Sequence, residues 1–307
     1  MEYVLRTFGL SKRYKKQWAL DKVNINVRRG DIYGFMGENG SGKTTVIRLI
    51  TGLIHATEGN IELFGAMDGT PDIYAARKKI GAVVETPSIY LNMSARDNLE
   101  MQCDILGIKD KAKAAEVLKE VGLSDLYTNK KHASNFSLGM RQRLGIAMAL
   151  IGDPEFLILD EPMNGLDPAG IVEIRELIIR LNRERGITFL ISSHILTELA
   201  LVATTYGIIS KGKIIKEISA EELNDECRRS ITVEAADRDA LTSALSGIVA
   251  EGDLRPTSLG VKIYGTYSLN ELLSAILSAG VEIGKINCND AAIEDYYLSL
   301  IGGAAHD

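Results

Sequence analysis

Short runs of β-branched and aromatic residues recur along the chain, separated by longer stretches with apolar residues every three or four positions. "VNINV" (23–27), "DIYGFM" (31–36), "NIELF" (60–64), "IGAVV" (80–84), "FLILD" (156–160), "ITFLIS" (187–192) and "YGIIS" (206–210) predict strands. "GKTTVIRLITGL" (42–53) and "DKAKAAEVLKEV" (110–121) predict helices. This alternation predicts an α/β protein with a mostly parallel sheet. From about 94 to 150 helical periodicity dominates and strands are hard to find, which predicts a helical subdomain inserted into the sheet. From 226 to 307 the pattern changes to "SITVEA", "RDALTSALSGI", "GVKIYG", "LNELLSAILSAG", "VEIGKIN" and "AAIEDYYLSLIG". That mixture predicts a small C-terminal α+β domain after a main domain of residues 1–225.

Composition narrows the function classes. At 307 residues, 46% hydrophobic and 25% charged, the chain buries a large core. A net charge of -6 gives none of the overall basic field of a dedicated nucleic-acid binder, so nucleic acid is not expected as a partner. Cys103, Cys227 and Cys288 stand far apart and form no C-x-x-C pair, which predicts neither a zinc knuckle nor a disulfide framework and fits a reducing cytoplasm. No apolar stretch reaches the roughly 18 residues needed to cross a bilayer, so any membrane role is expected through a partner.

The chemistry begins at "GENGSGKTT" (37–45), which fits G-x-x-x-x-G-K-[ST] between a predicted strand and an amphipathic helix. Side-chain-free glycines let the backbone N–H groups of Gly37, Glu38, Asn39, Gly40, Ser41 and Gly42 close round a triphosphate, and the helix N-terminus favours its charge. Lys43 is expected to reach the β- and γ-phosphates, Thr44 to offer its hydroxyl to Mg²⁺, and Thr45 to face the α-phosphate. "FLILDEP" (156–162) ends an apolar strand in two carboxylates: Asp160 is the candidate metal partner, and Glu161 the candidate base for the attacking water. ATP and Mg²⁺ are the expected cofactors.

With those motifs in place, residues 1–220 resemble the nucleotide-binding subunits of ATP-binding-cassette (ABC) transporters, a P-loop NTPase cassette. The remaining assignments are what that resemblance implies. "NFSLGMRQRLGIAMAL" (135–150) resembles the family signature, with Ser137 and Gly139 kept and Leu138 and Met140 departing from the usual Leu-Ser-Gly-Gly-Gln. In the family this segment caps the ATP held by a second subunit in a head-to-tail dimer. "NGLDP" (164–168) resembles the D-loop, with Asp167 as its acidic member. His194, closing "ITFLISSH", stands where the family keeps a histidine that meets the γ-phosphate, whereas His55, His132 and His306 match nothing. Tyr14 stands where an aromatic stacks on adenine, with Trp18 as a possible substitute.

Glu85, at the end of "GAVVE", falls where most of the family has a glutamine whose oxygen meets Mg²⁺ and whose loop touches the membrane subunit. Glutamate here, with "FSLGMRQRLGIA" and "TPSIYLNMSARDNL", resembles the bacterial branch for bacitracin export and lantibiotic immunity. The resemblance implies a cytoplasmic ATPase, peripheral on the inner face of the membrane, that dimerises on ATP and drives a separate integral-membrane permease. The rival expectation, a cassette ATPase acting on ribosomes or nucleic acid, usually goes with two cassettes or a long coiled-coil insertion, and this chain has neither. For residues 226–307 the leading expectation is a packing or dimer-supporting extension, with ligand sensing as the alternative.

Overall fold

A computed structural model describes residues 2–227, 230–289 and 293–303. His306 and the first two residues of "AAIEDYYLSLIG" lie outside the described residues. The chain divides into two compact units, Met1–Ala220 and Glu221–Asp307.

The first unit opens with β1 (Tyr3–Tyr14), β2 (Gln17–Val23) and β3 (Asn26–Arg28), followed by β4 (Ile32–Met36), α1 (Lys43–Ile50), β5 (Glu58–Leu63), β6 (Ala66–Met67), α2 (Asp72–Arg77) and β7 (Ile80–Val83). The helical stretch is α3 (Ala95–Leu106), α4 (Ala112–Glu120) and α5 (Leu138–Leu150). Then come β8 (Phe156–Asp160), α6 (Pro168–Arg185), β9 (Thr188–Ser193), α7 (Leu196–Ala200), β10 (Thr205–Ser210) and β11 (Lys213–Ser219).

The central sheet runs β11-β10-β4-β9-β8-β7. All its pairs are parallel except the β10–β11 hairpin at one edge. Every residue of β4, β8 and β9 is buried, as expected for parallel strands covered on both faces, and this explains why their apolar residues run consecutively instead of alternating.

A second, antiparallel sheet, β2-β1-β5-β6 with β3 on β1, was not legible as a separate layer. Its longest strand, β1, has its register against β2 and β5 shifted between Phe8 and Ser11 and between Leu10 and Arg13, and Gly9 has φ 58°. These bulges break the period-two alternation that marks a strand in sequence. Val46, Ile47, Leu49 and Ile50 of α1 share one core with Leu5, Leu10 and Leu20 of this sheet and Phe35, Phe156 and Ile158 of the other. Burying each such side chain contributes about 1.5–3 kcal/mol, so the helix that follows the phosphate loop is firmly seated.

A polar contact from a buried tyrosine to an exposed glutamate joins β4 to the edge strand β11 of the central sheet. The Tyr33 hydroxyl donates to Glu217 Oε1 at 2.7 Å, and Glu217 also accepts from the backbone and side-chain amides of Asn26. Complete burial, with the Glu217 charge beside it, holds the phenol well above the ordinary tyrosine pKa of 10.0. Gly207 must lack a side chain, because a Cβ there would lie 2.1 Å from the Tyr33 oxygen.

The helical stretch is punctuated by caps. Ser94 and Asp97 form a reciprocal capping box at the start of α3, and Gly107 in the left-handed conformation ends it. Asp153 pairs with both Lys113 of α4 and Arg185 of α6, and Glu120 also pairs with Arg185.

The second unit follows α8 (Ala220–Cys227) with β12 (Ser230–Ala235), α9 (Arg238–Leu245), β13 (Leu254–Pro256), β14 (Gly260–Tyr264), α10 (Leu269–Ser278), β15 (Ile283–Asn289) and α11 (Ile293–Gly303). Its sheet has the order β13-β14-β12-β15, antiparallel throughout, which with α9 and α10 is the split β-α-β arrangement. Ile231, Val233, Leu241, Leu245, Val261, Ile263, Leu272 and Ile276 form its separate core.

Candidate active site

The loop between β4 and α1 is shaped to admit an anion. Gly42 caps α1 with φ 113° and no side-chain hydrogen bond, so no side chain occupies the N–H groups of the first turn. A Cβ at Gly37 would sit 2.5 Å from Ser41 Oγ and 2.6 Å from the Ile209 carbonyl, so the loop closes only with glycine. Glu38 and Asn39 are exposed on the loop, and the carbonyl of Glu38 accepts from the Ser41 amide. Thr44 and Thr45 occupy the first turn, both half-buried.

Lys43 is 5% exposed and folds back, donating to the carbonyls of Gly37 at 2.6 Å and Glu38 at 3.2 Å. Its Nζ also lies 3.2 Å from Glu161 Oε1, an ion pair whose angle does not make a hydrogen bond, so Oε1 has no hydrogen-bond partner. The other oxygen of Glu161, Oε2, lies 2.7 Å from His194 Nδ1. With the carboxylate ionised, that contact requires the proton on Nδ1 and leaves Nε2 free of it in the neutral ring. Lys43, Glu161 and His194, called from three separate motifs, thus converge on one carboxylate.

Asp160, 1% exposed, ends β8, which lies against α1. Its Oδ1 accepts from Ser192 Oγ at 2.5 Å, while Oδ2 is buried with no partner. An orphaned buried carboxylate oxygen beside the phosphate-loop helix is the donor a hard divalent cation takes, so the residues present fit Mg²⁺.

Glu85 is placed elsewhere. The strand predicted over "IGAVV" (80–84) ends at Val83, and Glu85 follows with φ 60°, its Oε1 2.6 Å from Arg48 Nη2 of α1. The structure therefore gives it Arg48 as its side-chain partner, with no hydrogen bond to Thr44 or Asp160 among the described residues. Tyr14, the last residue of β1, is exposed with Lys12 Nζ 5.3 Å from its ring centre, and Trp18 across the hairpin carries Arg13 at 5.5 Å.

Ser137 caps α5, its Oγ accepting from the Met140 amide at 3.2 Å, and Asp167 caps α6 by accepting from Gly170 at 3.1 Å. Ser137, Leu138, Gly139 and Met140 face Gly165 and Asp167 across an open cavity of about 480 Å³. Arg143 joins the two helices there by an ion pair with Glu173 at 3.2 Å, a link that no sequence signal indicated. His132 makes a backbone bridge to Ser94 and its carbonyl accepts the Asn135 amide, and the His55 carbonyl accepts from Lys12 Nζ. Among the described residues no helix is long and apolar enough to cross a membrane.

A parallel sheet carrying a glycine phosphate loop at one strand end and paired carboxylates at another defines a P-loop nucleotide hydrolase. A family model described as ABC transporter matches residues 20–164. Over 99% of both chains the protein is 41% identical to the bacitracin transport ATP-binding protein BcrA of Bacillus licheniformis. It is 43% identical to the lantibiotic transport ATP-binding protein SrtF of Streptococcus pyogenes, over 70% of this chain and 90% of that one. Among solved structures, the dimeric post-hydrolysis MJ0796 cassette bound to ADP and Pi matches 70% of this chain and 98% of its own, at 25% identity and a TM-score of 0.63. The chain belongs to the ATP-binding subunits of the ABC transporters, and is an ATPase.

Proposed function

We propose that this chain powers a separate membrane permease that exports a peptide antibiotic of the bacitracin or lantibiotic type, conferring resistance or immunity. The observation that carries this reading is the full-length likeness to a bacitracin transport ATP-binding protein, which extends through the C-terminal unit. The subunit works at the inner face of the membrane through the permease, and two copies close on two ATP molecules. In that dimer the cavity of Ser137–Met140 and Asp167 faces the nucleotide of the other copy.

Within the site, the phosphate-loop amides and Lys43 hold the β- and γ-phosphates. Glu161 accepts a proton from the attacking water, and His194 holds one carboxylate oxygen so that the other points at the reaction. Thr44 and Asp160 would hold Mg²⁺, with Glu85 joining them only after leaving Arg48. The cation supplies charge neutralisation on the phosphate oxygens. Tyr14, or Trp18 beside it, stacks on the adenine.

Co-expression with its cognate permease in a bacitracin-susceptible host is expected to raise the inhibitory concentration of bacitracin or a lantibiotic. A chain carrying Lys43→Ala is expected to give no protection. Protection by that variant, or no protection against any peptide antibiotic, would contradict the reading.

A further inference from the structure

Ser192 has no assigned role within "ITFLISSH", yet it touches both acidic residues at the strand end, Asp160 at its carboxylate and Glu161 at its backbone amide. It is 0% exposed in β9, where it follows Phe189, Leu190 and Ile191, and pairs in register with Asp160. A hydroxyl has one proton to give and lone pairs to receive. Here the proton goes to Asp160 Oδ1 at 2.5 Å, the short distance of a charge-assisted bond. The oxygen accepts the Glu161 amide at 3.0 Å, and the Ser192 carbonyl receives the same amide at 3.2 Å.

These two bonds have separate consequences. Occupying Oδ1 fixes the rotation of the Asp160 carboxyl and leaves Oδ2 as its one unpartnered oxygen. Capturing the Glu161 amide holds a backbone at φ 52°, which side-chain-bearing residues rarely adopt and which sends the Glu161 side chain toward Lys43 and His194.

We infer that Ser192 is the positioning residue that presents Asp160 to the divalent cation and Glu161 to the water, with one hydroxyl setting both. The inference rests on the roles of Asp160 and Glu161 proposed above. Partners one step behind a metal ligand commonly change metal affinity roughly 10- to 100-fold when removed.

The test uses the purified full chain with Mn²⁺ as the probe, its binding read by electron paramagnetic resonance in the presence of a non-hydrolysable ATP analogue. Ser192→Ala is expected to bind the analogue in EDTA as the parent does but to need on the order of tenfold more Mn²⁺ for half-saturation. Ser192→Thr, which keeps the hydroxyl, is expected to restore most of that loss. If Ser192→Ala does not fold, Ser192→Cys takes its place as a near-isosteric, weaker donor with the same expected loss. Asp160→Asn, run in parallel, separates the levels of the claim. Parental Mn²⁺ affinity in Ser192→Ala beside a weakened Asp160→Asn overturns this inference alone. Parental affinity in Asp160→Asn overturns the reading of the site.

Discussion

His194 Nδ1 lies 2.7 Å from Glu161 Oε2, joining the end of β9 to the residue that follows β8. Neither residue has meaning for hydrolysis alone: a base must be aimed, and a histidine at a strand end must have something to aim. His194→Ala is therefore expected to lower phosphate release on the order of 100-fold while leaving ATP affinity nearly unchanged. A raised KM with unchanged kcat would instead make His194 a binding residue.

The pairing of Glu85 with Arg48 is solvent-exposed, so it contributes no more than about 1 kcal/mol to stability. Arg48→Gln is expected to leave the melting temperature within a few degrees. Glu85→Gln is expected to retain nucleotide binding while changing the rate of hydrolysis or its coupling to transport. Unchanged ATPase and unchanged antibiotic resistance would make Glu85 an ordinary polar turn residue.

Tyr33 gives a pH prediction whose sign follows from its raised pKa. The unfolded chain releases the phenolic proton near 10.0 and the folded chain only above it, so between those values the folded state binds more protons. The contribution is complete below 10.0 and is lost as pH rises toward the folded value. Tyr33→Phe removes the donor to Glu217 and is expected to cost about 2 kcal/mol at neutral pH, with a weaker alkaline loss than the parent. Chemical denaturation at pH 8 and above pH 10 checks both parts.

Trp18 is the one tryptophan of the chain and pairs across the hairpin with Arg13, one position from Tyr14, so ATP binding is expected to change its fluorescence. Tyr14→Ala is expected to weaken ATP binding by roughly tenfold, the scale of one lost stacking contact of 1–3 kcal/mol. Should Trp18→Ala weaken binding and Tyr14→Ala not, the stacking role passes to Trp18.

The phosphate loop, the paired carboxylates and the central strands were legible because each is written in consecutive residues whose spacing states its chemistry. The antiparallel sheet was not, since the bulges near Gly9 and Lys12 erase the alternation of β1. Side-chain partners across elements were least legible. Glu85 meets Arg48 only because the chain turns left-handed beyond Val83, and Ser192 reads as one more small residue of a buried strand until its register with Asp160 is known.

If Glu161 is the base of the ATP-hydrolysing site, phosphate release from the purified chain must depend on it, and Glu161→Gln, with ATP binding measured on the same samples, isolates that role. Glu161→Gln is expected to bind ATP within about threefold of the parent and to release phosphate at least on the order of 100-fold more slowly. Hydrolysis by Glu161→Gln at the parental rate would contradict that role.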